Sequence, residues 1–274
     1  MSFFVALQKV LPQHGLSRFV GALARSELGL VKTPFIRTFA SAYNVNMGEA
    51  AREDLSDYRS FNDFFTRELK DDARPIAEGE DTIVCPADGA VSQLGTIEQG
   101  QVLQAKGIRY RFDTLAAEAA GPGFGGGSFI TIYLAPSDYH RVHMPLEGRL
   151  VRSVAVPGEL FSVNAHTEAE VPSLFARNER LVCEFDTAHG RVLSIMVGAM
   201  IVASIETVWG GPESPYRQHT VTEHDQPLGR GAEMGRFLLG STVILCFEKG
   251  RAELSDDLEP GTTVRMGQPL GRLT

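Results

Sequence analysis

Residues able to do chemistry concentrate in two short stretches of this chain. The first is Ala135-Pro136-Ser137-Asp138-Tyr139-His140-Arg141-Val142-His143-Met144-Pro145. Pro136 to Asp138 reads as a helix start and Pro145 as a stop, so the pattern predicts one short helical turn. At i and i+3, His140 and His143 would share a face of it. Two histidines so placed are metal ligands, an acid–base pair, or structural residues satisfied by hydrogen bonds. A third zinc ligand is not evident nearby, which weakens the metal reading. The second stretch is Phe237-Leu238-Leu239-Gly240-Ser241-Thr242-Val243-Ile244, where a small polar triplet interrupts an apolar strand. Glycine there marks either an ordinary bulge or a reactive backbone. Without a Cβ, Gly240 leaves its carbonyl open to the Ser241 hydroxyl.

The elements that must position these residues are mostly strands. Runs at Thr82–Cys85, Ala90–Leu94, Phe129–Leu134, Val151–Val156, Leu181–Phe185, Val192–Val197, Ile201–Val208 and Thr242–Phe247 are separated by turn signals such as Asp88-Gly89 and Pro157-Gly158. A helix is expected around Phe61–Leu69. The polar, Gly/Pro-rich segment 210–235 reads as a mobile surface loop. The fold class is therefore α+β: a mainly antiparallel β-sheet body with amphipathic helices collected at the N-terminus.

Composition narrows the function. The chain has 274 residues, a hydrophobic fraction of 43% and a formal charge of -8, which is globular and argues against a general nucleic-acid binder. Its three cysteines, Cys85, Cys183 and Cys246, form no CxxC pair and suit a reducing compartment. The most apolar stretch, Val192 to Ile205, has 14 residues against the roughly 20 of a membrane span. Neither a spanning helix nor a signal peptide is expected. Residues 1–48 nevertheless hold Lys9, Arg18, Arg25, Lys32 and Arg37 against Glu27 alone, a net of +4. Phe3, Phe4, Leu7 and Leu11 fall at helical spacing before Pro12, and Ser17 can cap a second helix carrying Phe19, Val20 and Leu23. Such a basic hairpin either lies on an anionic membrane or packs on the protein's own core. Gly121-Pro122-Gly123-Phe124-Gly125-Gly126 fits GxGxxG formally, but it precedes a strand, so a flexible loop is the better reading. Pro86–Val91 and Gly261–Gly271 look like lipoyl-carrier hairpins but have no lysine at a turn tip.

Five places together resemble the phosphatidylserine decarboxylase family. They are Phe61-Asn62-Asp63-Phe64-Phe65-Thr66-Arg67, Pro86-Ala87-Asp88-Gly89, Tyr139 to Pro145, Leu174-Phe175-Ala176-Arg177-Asn178-Glu179-Arg180, and Met234-Gly235-Arg236-Phe237 running into Leu239-Gly240-Ser241-Thr242. The last contains the LGST form of the family's cleavage motif. The resemblance covers nearly the whole chain.

It implies a proenzyme that cuts itself between Gly240 and Ser241, giving a β chain of 1–240 and an α chain of 241–274. By family assignment, Asp88, His143 and Ser241 form the self-cleavage triad, in which a base must activate a weak hydroxyl nucleophile. Ser241 then becomes a covalent pyruvoyl group, and neither metal nor pyridoxal phosphate is implied. A Schiff base between this group and the serine headgroup provides the electron sink for decarboxylation to phosphatidylethanolamine. His140 is the matching acid for that second reaction, and Ser162 is a further residue near the substrate. A bilayer lipid as substrate favours residues 1–48 as a membrane-docking segment and 49–274 as the catalytic body. A homodimer, peripheral on the cytoplasmic face of the cell membrane, is implied as well. Two other readings stay open: a pyruvoyl decarboxylase of a soluble amino acid, and a noncatalytic lipoyl-like binding module.

Overall fold

A computed structural model describes residues 2, 5, 8, 13–199, 205–212, 215–238 and 241–274, without the side chains of 13, 14, 16, 18 and 241. The amphipathic stretch ending at Pro12, positions 201–204 of one expected strand, and Leu239 and Gly240 lie outside the described residues.

Two helices open the described chain, α1 (Gln13–Ala24) and α2 (Gly29–Ala42). Because α1 begins at Gln13, Ser17 sits inside it and does not cap it, which corrects the expected boundary. A third helix, α3 (Phe61–Phe65), is capped by Ser60, whose Oγ accepts the Asp63 N–H at 3.2 Å. It stops earlier than its pattern suggests: the Thr66 hydroxyl turns back onto the Asn62 carbonyl, and Arg67 reaches away to the Ser137 carbonyl. Phe35 and Phe39 of α2 stack on and edge against Phe61, tying α3 to the N-terminal helices.

Strands build the rest. They are β1 (Thr82–Val84), β2 (Gly89–Thr96), β3 (Gln101–Leu103), β4 (Arg109–Arg111), β5 (Ser128–Leu134), β6 (Arg141–His143), β7 (Gly148–Val156) and β8 (Arg180–Thr187). After these come β9 (Gly190–Val197), β10 (Ile205–Thr207), β11 (Thr220–Leu228), β12 (Glu233–Phe237), β13 (Ser241–Phe247), β14 (Ala252–Leu254), β15 (Thr263–Val264) and β16 (Pro269–Leu273). The main sheet runs β11-β7-β8-β9-β13-β5-β2-β15, antiparallel throughout. Strict alternation sends Val243, Leu245, Ile130 and Ile132 to one core, and Ile244, Cys246, Phe129 and Ile195 to another on the opposite face.

Segment 210–235 differs from expectation. It carries the nine-residue edge strand β11 and the start of β12. Polar residues dominate β11 because it borders the sheet and half its surface meets water, so its composition reads as loop. The two hairpin-like pieces pair with each other, Ala90 with Thr263 and Gly89 with Val264.

Gly89 shows how tightly β2 is laid on β5. A Cβ built there would stand 2.2 Å from the Tyr133 carbonyl oxygen. Gly89→Ala is expected to lower stability by roughly 1–3 kcal/mol or more, because backbone rather than a flexible side chain must give way. Gly229→Ala, with nothing within 4 Å of its added carbon, is the control. Paired thermal melts read the difference, and equal melting temperatures would refute the close approach.

Candidate active site

The end of the main sheet near Leu134 gathers the candidate residues. Ser241 is the first residue of β13 and pairs with Leu134, while Thr242 pairs with Tyr133. On the other side of β5, Ala90 of β2 also pairs with Tyr133. The backbones of Ser241 and Gly89 therefore flank the same end of β5, about two strand spacings (~10 Å) apart. Asp88 immediately precedes Gly89 on the β1–β2 connection.

The third strand set brings the histidines. β12 pairs with β6, and the Phe237 N–H donates to the His140 carbonyl at 2.9 Å. The chain thus leaves His140 at Phe237 and enters β13 at Ser241. His143 is fixed to the Asp88 loop by its own N–H, which donates to the Pro86 carbonyl at 2.8 Å.

The expected helical turn is not formed. Residues 136–138 make a turn, and Arg141 to His143 are extended. In extended chain, positions three apart point to opposite sides, so His140 and His143 occupy different environments instead of a common face. The competing pull is the pairing of β6 with β12, which outweighs the local Pro-Ser-Asp start signal.

His140 is fully buried, with its ring 4.0 Å from that of Phe65 between centroids. Its Nδ1 lies 2.9 Å from the Asp138 carbonyl oxygen. A carbonyl only accepts, so Nδ1 carries the proton and Nε2 bears the lone pair. That Nε2 is buried and has no hydrogen-bond partner among the described residues. Burial, with a smaller contribution from the nearby Arg67 guanidinium, pushes its pKa down to about 3.

His143 shows the same logic with a different second partner. Its Nδ1–H donates to the Gly231 carbonyl at 2.8 Å, and its Nε2 accepts from the Tyr139 hydroxyl at 3.0 Å. Burial lowers its pKa, against the bond to Gly231 and the fields of Glu233 and Asp88, which favour the protonated form. Both imidazoles rest neutral with Nε2 as the acceptor.

Asp88 is engaged elsewhere than at His143. Its carboxylate accepts from Arg74 Nε at 2.9 and 3.1 Å, from Arg74 Nη2 at 2.5 Å, and from the Met266 N–H at 2.9 Å. Arg74 also reaches Glu49 at 2.8 Å, and the two carboxylates hold it firmly cationic. Asp88, Arg74, Arg67, Asp138 and Tyr139 line one polar cleft of about 220 Å³ beside Asn46. The Asp88 charge favours protonation of His143, ranking behind burial, the Gly231 bond, Glu233 and Arg141.

Ser162 stands apart from the cluster in its contacts. Its Oγ meets Thr167 Oγ1 at 2.6 Å and its N–H donates to Gln8 Oε1. The stretch Leu174–Arg180 clips this loop in place: Asn178 exchanges hydrogen bonds with the backbone of Phe161. Arg180 spends its guanidinium on the carbonyls of Thr114, Leu115 and Ala176. Sequence reasoning missed Arg74 and the role of Tyr139. Nothing near Arg74 marks it, whereas Tyr139 lies inside the histidine stretch and needed only a polar partner.

Residues 61–272 match the family model described as phosphatidylserine decarboxylase, and residues 3–44 match a model described as PSD. A phosphatidylserine decarboxylase proenzyme of Ectopseudomonas mendocina is 52% identical over 98% of this chain and 97% of that protein. Proenzymes of the same name from Alcanivorax borkumensis and Vibrio parahaemolyticus are 51% and 50% identical, over 99% and 97% of this chain and 96% of each relative. The match over residues 61–272 covers nearly all of the sheet and places this α+β body among the decarboxylases. The chain belongs to the phosphatidylserine decarboxylase family.

The state of His140 has a measurable consequence for stability. An unfolded histidine titrates near 6.5, whereas folded His140 resists protonation down to about pH 3. Between those values the unfolded state binds more protons, so stability falls as the pH drops, by up to about 1.4 kcal/mol per pH unit from this residue. His140→Gln is expected to flatten that slope in urea melts taken at pH 7 and pH 5. An unchanged slope would mean that buried His140 accepts a proton readily.

Proposed function

We propose that this chain decarboxylates phosphatidylserine to phosphatidylethanolamine after cutting itself between Gly240 and Ser241. The observation that carries the reading is the backbone register. It starts β13 at Ser241, next to the end of β5, where the chain carrying His140 and His143 meets the Asp88 loop.

In self-cleavage, His143 Nε2 takes the hydroxyl proton of Ser241, and the oxygen adds to the Gly240 carbonyl as the peptide C–N bond breaks. The resulting ester loses its α-proton and eliminates the front chain as a carboxylate. Hydrolysis of the remaining enamine releases ammonia and leaves the pyruvoyl end on residue 241. Asp88 favours the imidazolium that forms on His143. For the base to act, the Tyr139 hydroxyl must release Nε2 or pass the proton on.

The position fits a group built from Ser241. The chain entering it is tethered at His140, whose buried Nε2 is left without a described partner. When formed, the pyruvoyl group supplies the electron sink for the pair left by departing carbon dioxide. His140 starts neutral and so begins as an acceptor. An anionic headgroup brought beside it favours the imidazolium, so its Nε2 can take up the proton that the headgroup ammonium gives off on condensing and return it to the α-carbon after decarboxylation. Ser162 belongs to the same reading as a residue near the substrate.

Residues 1–48 form the membrane dock in this reading, and 49–274 the catalytic body. No helix among the described residues is long and apolar enough to cross a membrane. Yet Phe19, Leu28 and Leu30 are 64%, 70% and 94% exposed. Leu23, Leu30, Val31, Pro34 and Phe35 line an apolar groove of about 400 Å³. Arg25 and Arg37 add positive charge to the same segment, which suits the anionic cytoplasmic leaflet, while the Lys32 ammonium donates to the Tyr58 carbonyl. The opposite side of α2 is spent internally, on the Phe61 cluster. A homodimer on the cytoplasmic face completes the reading.

Three substitutions test the chemistry on one gel and one headgroup decarboxylation assay. Ser241→Ala and His143→Ala are expected to stay as intact chains. His140→Ala is expected to be cut but to decarboxylate about 10²–10⁴-fold more slowly. Release of the 1–240 fragment from Ser241→Ala would sink the mechanism, and full activity of His140→Ala would remove that residue from it.

The dock is tested separately with Phe19→Asp combined with Leu30→Asp, sedimented with phosphatidylserine/phosphatidylcholine vesicles. Loss of co-sedimentation with self-cleavage intact is the expected result. Undiminished binding would assign the lipid surface to another part of the molecule.

A further inference from the structure

Asp88 accepts more hydrogen bonds than His143 makes through its ring, and what holds it comes from distant parts of the chain. Arg74 precedes β1, on the connection between the helical segment and the sheet. Its guanidinium contacts both Asp88 oxygens and, through Nη2, also Glu49, while Nη1 donates to the Ala73 carbonyl at 2.6 Å. Glu49 in turn accepts from Arg265 at 3.3 Å. The remaining donor to Asp88 is the N–H of Met266, next to Arg265 on the turn that follows β15. One carboxylate is therefore gripped from the segment before the cut by a side chain and from the segment after it by backbone. Arg74 and Asp88 are both buried, with 7% and 10% of their side chains exposed. An arginine fork fixes direction as well as charge, which a point cation does not.

We propose that Arg74 is a positioning residue for self-cleavage, holding the Asp88 carboxylate at its place between the parts of the chain on either side of the cut. The proposal rests on the reading of Asp88 as part of the cleavage machinery. Arg74 touches neither Ser241 nor His143 among the described contacts, and its whole effect passes through Asp88. Arg74 and Asp88 are then one functional unit, whose substitutions do not add.

The experiment follows the full-length chain made by cell-free translation with a labelled amino acid, and measures the appearance of the 1–240 fragment with time. No lipid is needed, so membrane docking does not enter. Four variants are compared with the natural sequence: Arg74→Met, Arg74→Lys, Asp88→Asn, and the double variant of Arg74→Met with Asp88→Asn. Asp88→Asn and Arg74→Met are each expected to slow cutting by about tenfold or more. Arg74→Lys, which keeps the cation but loses the fork, falls between Arg74→Met and the natural chain. The double variant is expected to match Asp88→Asn within about twofold. A merely structural Arg74 would instead multiply the two effects, and that result overturns the proposal. So does a natural cutting rate in Arg74→Met alongside a slow Asp88→Asn. A natural rate in Asp88→Asn would instead remove Asp88 from the cleavage machinery, a failure of the underlying reading and not of the Arg74 contact. If Arg74→Met does not fold, Arg74→Lys and its combination with Asp88→Asn give the same comparison.

Discussion

Strand β13 lies between β9 and β5 and is hydrogen-bonded to both, and its first residue is Ser241. That single placement constrains everything around it. A chain cut just before an interior strand acquires a new terminus without losing any strand, because the ladders on both sides of β13 begin after the cut. The rest of the C-terminal piece is stitched in the same way: β15 pairs with β2, and β16 pairs with β1 and β14. The two pieces of a cut molecule would share one sheet and two cores, so separating them means unfolding. A bond can be broken here because it is not a bond on which the core depends.

The small sheet of β6, β10 and β12 is what brings the histidine-bearing chain toward that point. β12 ends at Phe237, tied to His140, so only Leu238 to Gly240 remain to reach β13. The histidines are held in one protonation state by one device. A main-chain carbonyl takes each Nδ1–H, and burial disfavours a second proton. Guanidinium groups add to this: Arg67 beside His140, Arg141 beside His143. Arg141 is satisfied by Glu233, Glu68 and the Thr66 carbonyl, whereas Arg67 donates Nη2 to the carbonyls of Ser137 and Asp138 and keeps its buried Nε and Nη1 without a partner among the described residues. A buried cation partnered as fully as Arg141 supplies a fixed field at little reorganisation cost.

Much of this was legible in the residues and some was not. Near-continuous apolar runs over Phe129–Leu134 and Val192–Val197 identify central strands, because both faces of the sheet are buried there. β11 escaped the same test, since an edge strand with Glu223, His224 and Asp225 looks like a loop. The histidine turn was misread because a start signal in sequence carries no information about β12, about 90 residues away. Arg74 was invisible for a similar reason: its partner Asp88 is 14 residues off, and the other donor to that carboxylate, Met266, is 178 residues from it. Local pattern finds elements, whereas ion pairs between distant segments are set only by the closed sheet. The motif stretches carried the site by type, and the fold decided which of those residues touch.

The contrast between the two Nε2 atoms is the last consequence of the extended β6. Had His140 and His143 shared a helical face, one space would have had to serve two reactions with opposite needs. Extended chain separates them by side while keeping them three residues apart. The Nε2 of His143 is occupied by Tyr139, which also lines the polar cleft with Asp88, so that imidazole is linked to the cleft through the Tyr139 hydroxyl. The Nε2 of His140 is buried against Phe65 with no described partner, a costly arrangement for a polar atom unless something else is brought to it. An acceptor left open beside the chain that leads into Ser241 is what a substrate headgroup at residue 241 would meet. In the proposed reading this contrast orders the two reactions in time: His143 would serve the uncut chain, and His140, whose Nε2 has no described partner, the reaction that brings a second molecule.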